Sequence, residues 1–397
     1  MSLPSTMKAV IIKEPYTLAL EERPFPKLRA PTDVIIKVST AGICGSDLHI
    51  YRGHQPGPYD FIIGHEAVGT IVQAGDDVKK WKVGDRVIVP FSTSCGKCYY
   101  CAKGYTSRCA NGDLFGTAKA DGMQAEYARV SHADGCLFAA PSDIPEKLMV
   151  LMADIVPTGY YVATNAKRLA DEDRSDQLDK VGKKGGVAVV IGCGPVGLCA
   201  ISSAVTMFDK VFATDIAEHR LEAAERHGAI ALPADKVKAA ILEATEGRGA
   251  DAALEVVGHP SAIDTAVDLV RPYGVISSCG VHTHDVTVPG PALYGKNLRF
   301  QYGRCSVQTF IPGAIEILRT NKELFEHFIE HEIGFDEVVD VSQVFGISLT
   351  SSRTSSSRRT RSARRSFCST RRSKVGSGWV CGMQCIVVWA MEPVLRE

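Results

Sequence analysis

Four cysteines fall within fifteen residues: Cys95, Cys98, Cys101 and Cys109 are separated by two, two and seven residues in CGKCYYCAKGYTSRC. The two-residue spacings let successive thiolates converge on one ion at about 2.3 Å, and four sulfurs close a tetrahedral shell. A closed shell leaves no position for substrate, so the expected occupant is a structural zinc ion. An iron–sulfur cluster and four free thiols are the rival readings, although the bacterial cluster pattern places its fourth cysteine after three residues and before proline. Three further candidates are scattered: Cys44 in AGICGSDLHI, His65 in FIIGHEAVGTIVQAG and Asp154 in LMADIVPTGY. Thiolate, imidazole and carboxylate together would leave one tetrahedral position open for a water or substrate oxygen, which is Lewis-acid chemistry. Each alone has a plainer reading, as a small buried apolar group, a hydrogen-bonded histidine or a turn cap.

A second kind of chemistry is written at Gly192-Cys193-Gly194-Pro195-Val196-Gly197, which follows the apolar run Val187 to Ile191 and opens a helical stretch. Glycines here permit a tight turn and close approach of a pyrophosphate, which the free N–H groups of the helix start would bind. Asp215 stands eighteen residues after Gly197, where a ribose-binding acid is expected. A carboxylate there accepts from ribose hydroxyls and repels a 2′-phosphate, so NAD is expected rather than NADP. The competing reading is a glycine-rich turn in another parallel-sheet protein.

These groups need elements to position them. Up to about residue 155 the chain reads as short β-rich runs, Asp33 to Thr40, Ala67 to Gln73 and Arg86 to Phe91 among them, broken at Gly, Pro and Asp. From about Thr158 helices alternate with strands. Val187 to Ile191, Lys210 to Thr214, Ala252 to Val257 and Gly274 to Ser278 read as strands; Gly197 to Thr206, Glu218 to His227 and Ala262 to Val270 read as helices. That alternation predicts a parallel sheet. Phe310 to Glu330 reads as a further helix, and no internal repeat is present.

The 397 residues, 45% of them hydrophobic and 23% charged, with mean hydropathy +0.01, suit a two-domain soluble enzyme. No run approaches the roughly 20 apolar residues of a membrane span, and the start carries no secretory or organellar pattern. A cytoplasmic location is therefore expected, and there thirteen cysteines point to metal ligands rather than disulfides. The formal charge is zero, but Ser348 to Lys374 holds eight Arg and one Lys without an acid, leaving 36 basic against 45 acidic residues elsewhere. An acidic body gives no support to nucleic-acid binding by the folded part.

The residues then resemble the zinc-containing medium-chain alcohol dehydrogenase family. Gly64-His65-Glu66-x2-Gly69-x5-Gly75-x2-Val78 matches the family's zinc signature, Cys44, Ser46, Asp47 and His49 reproduce its C-x-S-D-x-H segment, and the four-cysteine loop looks like its zinc lobe. Resemblance runs from about Met7 to Phe345. It implies an α/β fold: a GroES-like β-rich catalytic domain over 1–157, a Rossmann doubly wound parallel-sheet domain over 158–302, and a return to the catalytic domain over 303–347. It implies two zinc ions per chain, NAD, and hydride transfer from an alcohol or aldehyde hydrate. Ser46 would hold the alcohol oxygen and pass its proton through the nicotinamide ribose to His49. Asp47 would orient His65, and Glu66 would support the site or exchange as a ligand. Polyol dehydrogenases of the family typically read E-P-L around the third ligand, whereas A-D-I-x-x-T-G here is similar to the formaldehyde-dehydrogenase and secondary-alcohol branches, and the four-cysteine lobe beside it favours the formaldehyde-dehydrogenase-like branch. A polyol dehydrogenase and a non-catalytic NAD-binding protein are the alternatives. A homodimer or homotetramer joined through the nucleotide-binding domains is implied.

The family ends with a short helix and a strand that return to the catalytic domain soon after the stretch Asp336 to Phe345. Here a Ser/Arg tract and GSGWVCGMQCIVVWAMEPVLRE follow instead. The abrupt change of composition reads as a frameshift or retained intron, with a basic nucleic-acid-binding appendage as the alternative. Residues 348–397 are thus expected as a disordered or aberrant tail, leaving the catalytic domain without its closing strand.

Overall fold

Strand β1 (Thr6–Glu14) turns back into β2 (Thr17–Pro24) as an antiparallel hairpin. The computed structural model describes residues 3–55, 57–172, 184–282, 285–339 and 385–389. Next come β3 (Val34–Ile43) and the short β4 (Phe61–Ile62), which pairs with β1 and completes a three-stranded sheet. β3 is the spine of a second sheet, antiparallel to both β5 (Ala67–Ala74) and β7 (Tyr127–Val130). β5 pairs with β6 (Arg86–Val89), and β6 with β8 (Phe138–Ala139). Val34, Ile36, Val38, Ala67, Ile71, Val87 and Val89 meet in its core, the period-two pattern that buries one face of each strand.

The second half is a six-stranded, all-parallel sheet of β9 (Val187–Ile191), β10 (Lys210–Thr214), β11 (Ile230–Ala231), β12 (Ala250–Glu255), β13 (Val270–Ser278) and β14 (Arg299–Tyr302). Its spatial order is β11-β10-β9-β12-β13-β14, so the chain reverses its winding at the boundary between β9 and β12. In a doubly wound sheet that switch point opens a crevice at the carboxyl ends of the strands. The expected α/β class, a β-rich domain beside a doubly wound parallel sheet, is the one observed.

The helix Ile155–Asp171 joins the two halves and is buried on nearly every side, packing against the helices Pro195–Ala204 and Val307–Thr320. It carries the residue after Asp154 at its first position, so the packing of one helix sets the depth of that carboxylate.

Two expectations are corrected. Phe310 to Glu330 is not one helix: helix Val307–Thr320 ends at Asn321, a shorter helix Lys322–Glu326 follows, and β15 (Ile329–Gly334) begins within the expected span. Asn321 Nδ2 donates to the Ile317 carbonyl at 2.8 Å, an asparagine competing with the helix for its own backbone. The closing strand is also not lost. Within the stretch expected as a tail, β16 (Cys385–Trp389) lies between β15, parallel to it, and β3, antiparallel to it. The apolar run CIVVW meets the demand of two open strand edges for backbone partners. The Ser/Arg tract lies outside the described residues.

Candidate active site

β3 ends at Ile43 and hands the chain to helix Gly45–Tyr51 through Cys44. Asp47 organises this turn: one carboxylate oxygen accepts from the Cys44 backbone N–H at 2.9 Å. The other accepts from His65 Nδ1–H at 3.1 Å, which turns His65 Nε2 away from Asp47 and toward Asp154 and Glu66. Asp154 Oδ2 lies 3.5 Å from that Nε2 and 4.0 Å from Cys44 Sγ. Glu66 Oε1 lies 3.6 Å from Nε2, is buried, and has no hydrogen-bond partner. Ligand atoms of Cys44, His65, Glu66 and Asp154 all fall within 4.8 Å of one another. Gly42 makes room, since a Cβ there would sit 2.3 Å from Glu66 Oε2.

The electrostatics of this set fit a divalent cation. Burial, and then the Glu66 carboxylate, pushes the Cys44 thiol up to about 11. Burial, and then Asp154, lifts Glu66 to about 8. Burial works against protonation of His65, yet Asp47 and Asp154 outweigh it and hold the imidazole well above its ordinary range. Acids crowded in a dry site retain protons that a metal ion displaces. The separations also suit a tetrahedral zinc site with sulfur at about 2.3 Å and nitrogen or oxygen near 2.0 to 2.2 Å, whose donors lie roughly 3.4 to 3.8 Å apart.

Ser46 and His49 share helix Gly45–Tyr51. Ser46 Oγ is 3.8 Å from Cys44 Sγ, and no hydrogen bond joins Ser46 directly to His49 among the described residues. His49 Nδ1 instead faces His54 Nδ1 at 3.4 Å. Burial, then His54 and Arg52, lowers the pKa of His49, so the ring is neutral and able to accept a proton at neutral pH.

The cysteine loop forms a separate cluster. Cys98 Sγ is 3.5 Å from Cys101 Sγ and 4.0 Å from Cys109 Sγ, and all four sulfurs lie within 4.8 Å. A tetrahedron of sulfurs about 2.3 Å from its centre has edges near 3.8 Å, so this set fits zinc. Backbone N–H groups point at the sulfurs: Cys95 donates to Cys109 at 3.2 Å, and Cys98 to Cys95 at 3.4 Å. Backbone donation from Ala110 and Cys101 brings Cys98 down to about 6, toward the thiolate a metal requires.

At the parallel sheet, Gly192 takes φ +97°, and a Cβ on Gly197 would lie 2.0 Å from the Gly192 carbonyl, so both positions require glycine. Gly194 caps helix Pro195–Ala204 with open space beside it, room for a pyrophosphate against the helix start where Pro195 and Val196 stand. Asp215 follows β10. One of its oxygens accepts from Cys193 N–H at 2.8 Å, the other from Ala217 N–H at 2.9 Å, and Arg220 stands 3.5 Å away. The carboxylate therefore shapes the glycine turn as well as facing the crevice end of β10.

Sequence reasoning missed several participants. Thr158 donates to Asp154 Oδ1 at 2.8 Å; its position one helical turn after Asp154 is a signal that could have found it. Glu255, fully buried at the end of β12, accepts from Val257 and Gly258 N–H, from Ser278 Oγ and from His282 Nε2, and so braces the loops that flank the crevice. An acid closing an apolar strand was the available signal there. His54 had none, because its relevance comes only from facing His49.

Comparison with known proteins places these features in context. A model described as the alcohol dehydrogenase GroES-like domain matches residues 30–142, and one described as zinc-binding dehydrogenase matches residues 195–319. Zinc-type alcohol dehydrogenase B of Aspergillus flavus is 43% identical over 351 residues, 86% of this chain and 78% of that protein. The solved alcohol dehydrogenase of Thermus sp. ATN1 superposes with a TM-score of 0.79 at 27% identity, covering 97% of this chain and all of that one. An alcohol dehydrogenase from E. coli complexed with NADH gives 0.73 at 26% identity over 97% of this chain and 100% of its own.

Proposed function

We propose, from the premise that this chain belongs to the zinc-type medium-chain alcohol dehydrogenase family and is a zinc- and NAD-dependent alcohol oxidoreductase, which residues carry its reaction. Cys44, His65 and Asp154 hold the catalytic zinc, and Cys95, Cys98, Cys101 and Cys109 the structural one. The observation that carries the first assignment is the convergence of three donors from distant segments on one buried point, with Glu66 beside them. When bound, zinc supplies Lewis-acid polarisation of the alcohol oxygen and NAD accepts the hydride.

The chain's own residues do the rest. Asp47 fixes the His65 ring and Thr158 fixes the Asp154 carboxylate, so both donors are preorganised. Ser46 would hold the substrate hydroxyl and take its proton, and His49, its pKa lowered and its ring neutral at pH 7, would serve as the terminal proton acceptor facing His54. Glu66, unpartnered and lifted toward neutrality, supports the metal set or exchanges with one of its members. Gly192, Gly194, Pro195, Val196 and Gly197 would cradle the pyrophosphate, while Asp215 would accept from the adenosine ribose.

Asp154, rather than glutamate, in the donor set supports a place nearest the formaldehyde-dehydrogenase-like branch. The partition of the sheets supports boundaries near 157 and 302, with β15 of the 303–347 stretch returning to the catalytic sheet. Ten cysteines among the described residues form no disulfide, which favours the cytoplasm. No helix among the described residues is long and apolar enough to cross a membrane. The exposed edge of β14, with Phe300, Tyr302 and nearby Tyr294 turned outward, supports a homodimer or homotetramer built on the nucleotide domain.

Replacing Cys44 or Asp154 by alanine tests the site. Each variant is expected to lose turnover and about one of the two zinc equivalents while keeping the structural ion. Full zinc content with unchanged activity would overturn the assignment.

A further inference from the structure

Helix Gly45–Tyr51 ends in a backbone arrangement that fixes two imidazoles against each other. Gly53, with φ +70°, reverses the chain: its N–H donates to the Ile50 carbonyl at 2.9 Å, and the next residue, His54, donates its N–H to the His49 carbonyl at 2.9 Å. This is the Schellman ending of a helix, in which the side chain after the reversing glycine packs against the one whose carbonyl it caps. That contact is commonly apolar. Here both partners are histidines. A Cβ on Gly53 would lie 3.2 Å from the Pro15 ring, so the reversal is also held from its outer side.

The two Nδ1 atoms stand 3.4 Å apart, whereas the ring centroids are 5.6 Å apart with the planes tilted by 47°, so nitrogen edges rather than ring faces meet. Two nitrogens bound to one zinc ion at about 2.0 to 2.1 Å in a tetrahedron lie roughly 3.3 to 3.4 Å apart. Among the described residues neither ring has a carboxylate or carbonyl partner that would hold it in another orientation. His54 is exposed and His49 half-buried, so water can complete the shell of an ion. The positive charge of Arg52, close enough to act on His49, opposes a bound cation, and two protein donors are half the number in the cysteine loop. An ion here exchanges rather than resides.

We propose that His49 and His54 form a third metal site, which takes a dissociable divalent ion of the zinc or nickel class through both Nδ1 atoms, with water at the remaining positions. Imidazole suits both metals. Each neutral ring carries its proton on Nε2 in the bound form, so the shared Nδ1 proton moves to the far nitrogen and none is released. A cation on the ring opposes its protonation, so excess metal slows alcohol oxidation. That consequence rests on the role given to His49 above, whereas the binding itself does not.

The test uses the full chain loaded with both zinc ions. Calorimetric titration with Ni2+ is expected to show one further equivalent per chain, while elemental analysis afterwards still finds the two zinc ions. In His54→Ala the Ni2+ affinity falls by at least about tenfold, and His54→Cys, which returns a donor atom, recovers part of it. With NAD present, added Zn2+ lowers kcat/KM for alcohol oxidation in the wild type, reversibly on dialysis. In His54→Ala the half-inhibiting Zn2+ concentration is at least about tenfold higher, each protein being compared with itself before metal addition. Absence of the further equivalent, Ni2+ taken up only at the expense of zinc, or Ni2+ binding unchanged in His54→Ala would overturn the proposal. Binding that depends on His54 without any loss of rate would uphold the metal site and count instead against His49 as the proton acceptor.

Discussion

His49 is held below the ordinary imidazole range by burial and by the charges of His54 and Arg52. Alcohol oxidation needs it neutral, so kcat/KM is expected to fall as pH drops through its pKa. Removing His54 takes away one of the lowering influences. His54→Ala should therefore move the acid limb of the kcat/KM profile to higher pH, whereas a limb that stays in place would show that the paired ring does not tune the base. Asp215 carries a second residue-level expectation. Its carboxylate faces the end of β10 with Arg220 at 3.5 Å, so Asp215→Gly removes the repulsion of a 2′-phosphate and frees a guanidinium to receive it. The preference for NADP over NAD should rise by at least about tenfold in steady-state kinetics. An unchanged preference would locate cofactor choice elsewhere.

Elements bring their own titration. His227 ends helix Glu218–Arg226, shares a 2.7 Å hydrogen bond with Ser202 Oγ, and packs edge-on against Phe325 and Phe328. Burial, then Arg226, lowers it to about 4, so the folded chain resists a proton that the unfolded chain accepts near 6.5. Stability from this group is complete above pH 6.5 and is lost as pH falls toward about 4, a loss of about 3 kcal/mol. Urea unfolding of wild type and His227→Gln at pH 7 and pH 4.5 checks it, because the variant should lose less stability across that interval. Equal losses in both proteins would exclude His227 as the source. The same helix pairing explains why Phe310 to Glu330 misleads as a sequence pattern. The apolar period continues through Phe325 and Phe328, while Asn321 breaks the helix ahead of them.

At the scale of the molecule, β16 joins a distant segment to the catalytic sheet between β15 and β3. Ending the chain after Gln384 removes that strand and opens two edges, so scanning calorimetry should show a midpoint lower by several degrees; an unmoved midpoint would mean the strand adds nothing. The local motifs were legible in the sequence because their geometry is set within one turn of chain. The four cysteines at short spacing dictate a shared centre, and the glycine turn after an apolar strand dictates a helix start with free N–H groups. Cys44, His65 and Asp154 could be named from sequence, but their meeting is a tertiary fact: 110 residues separate Cys44 from Asp154, and only the burial of helix Ile155–Asp171 between the two halves brings their side chains to 4.0 Å. The His49–His54 pair left no sequence signal and the closing strand only the apolar run CIVVW, since the partner of each depends on which distant segments the fold brings together.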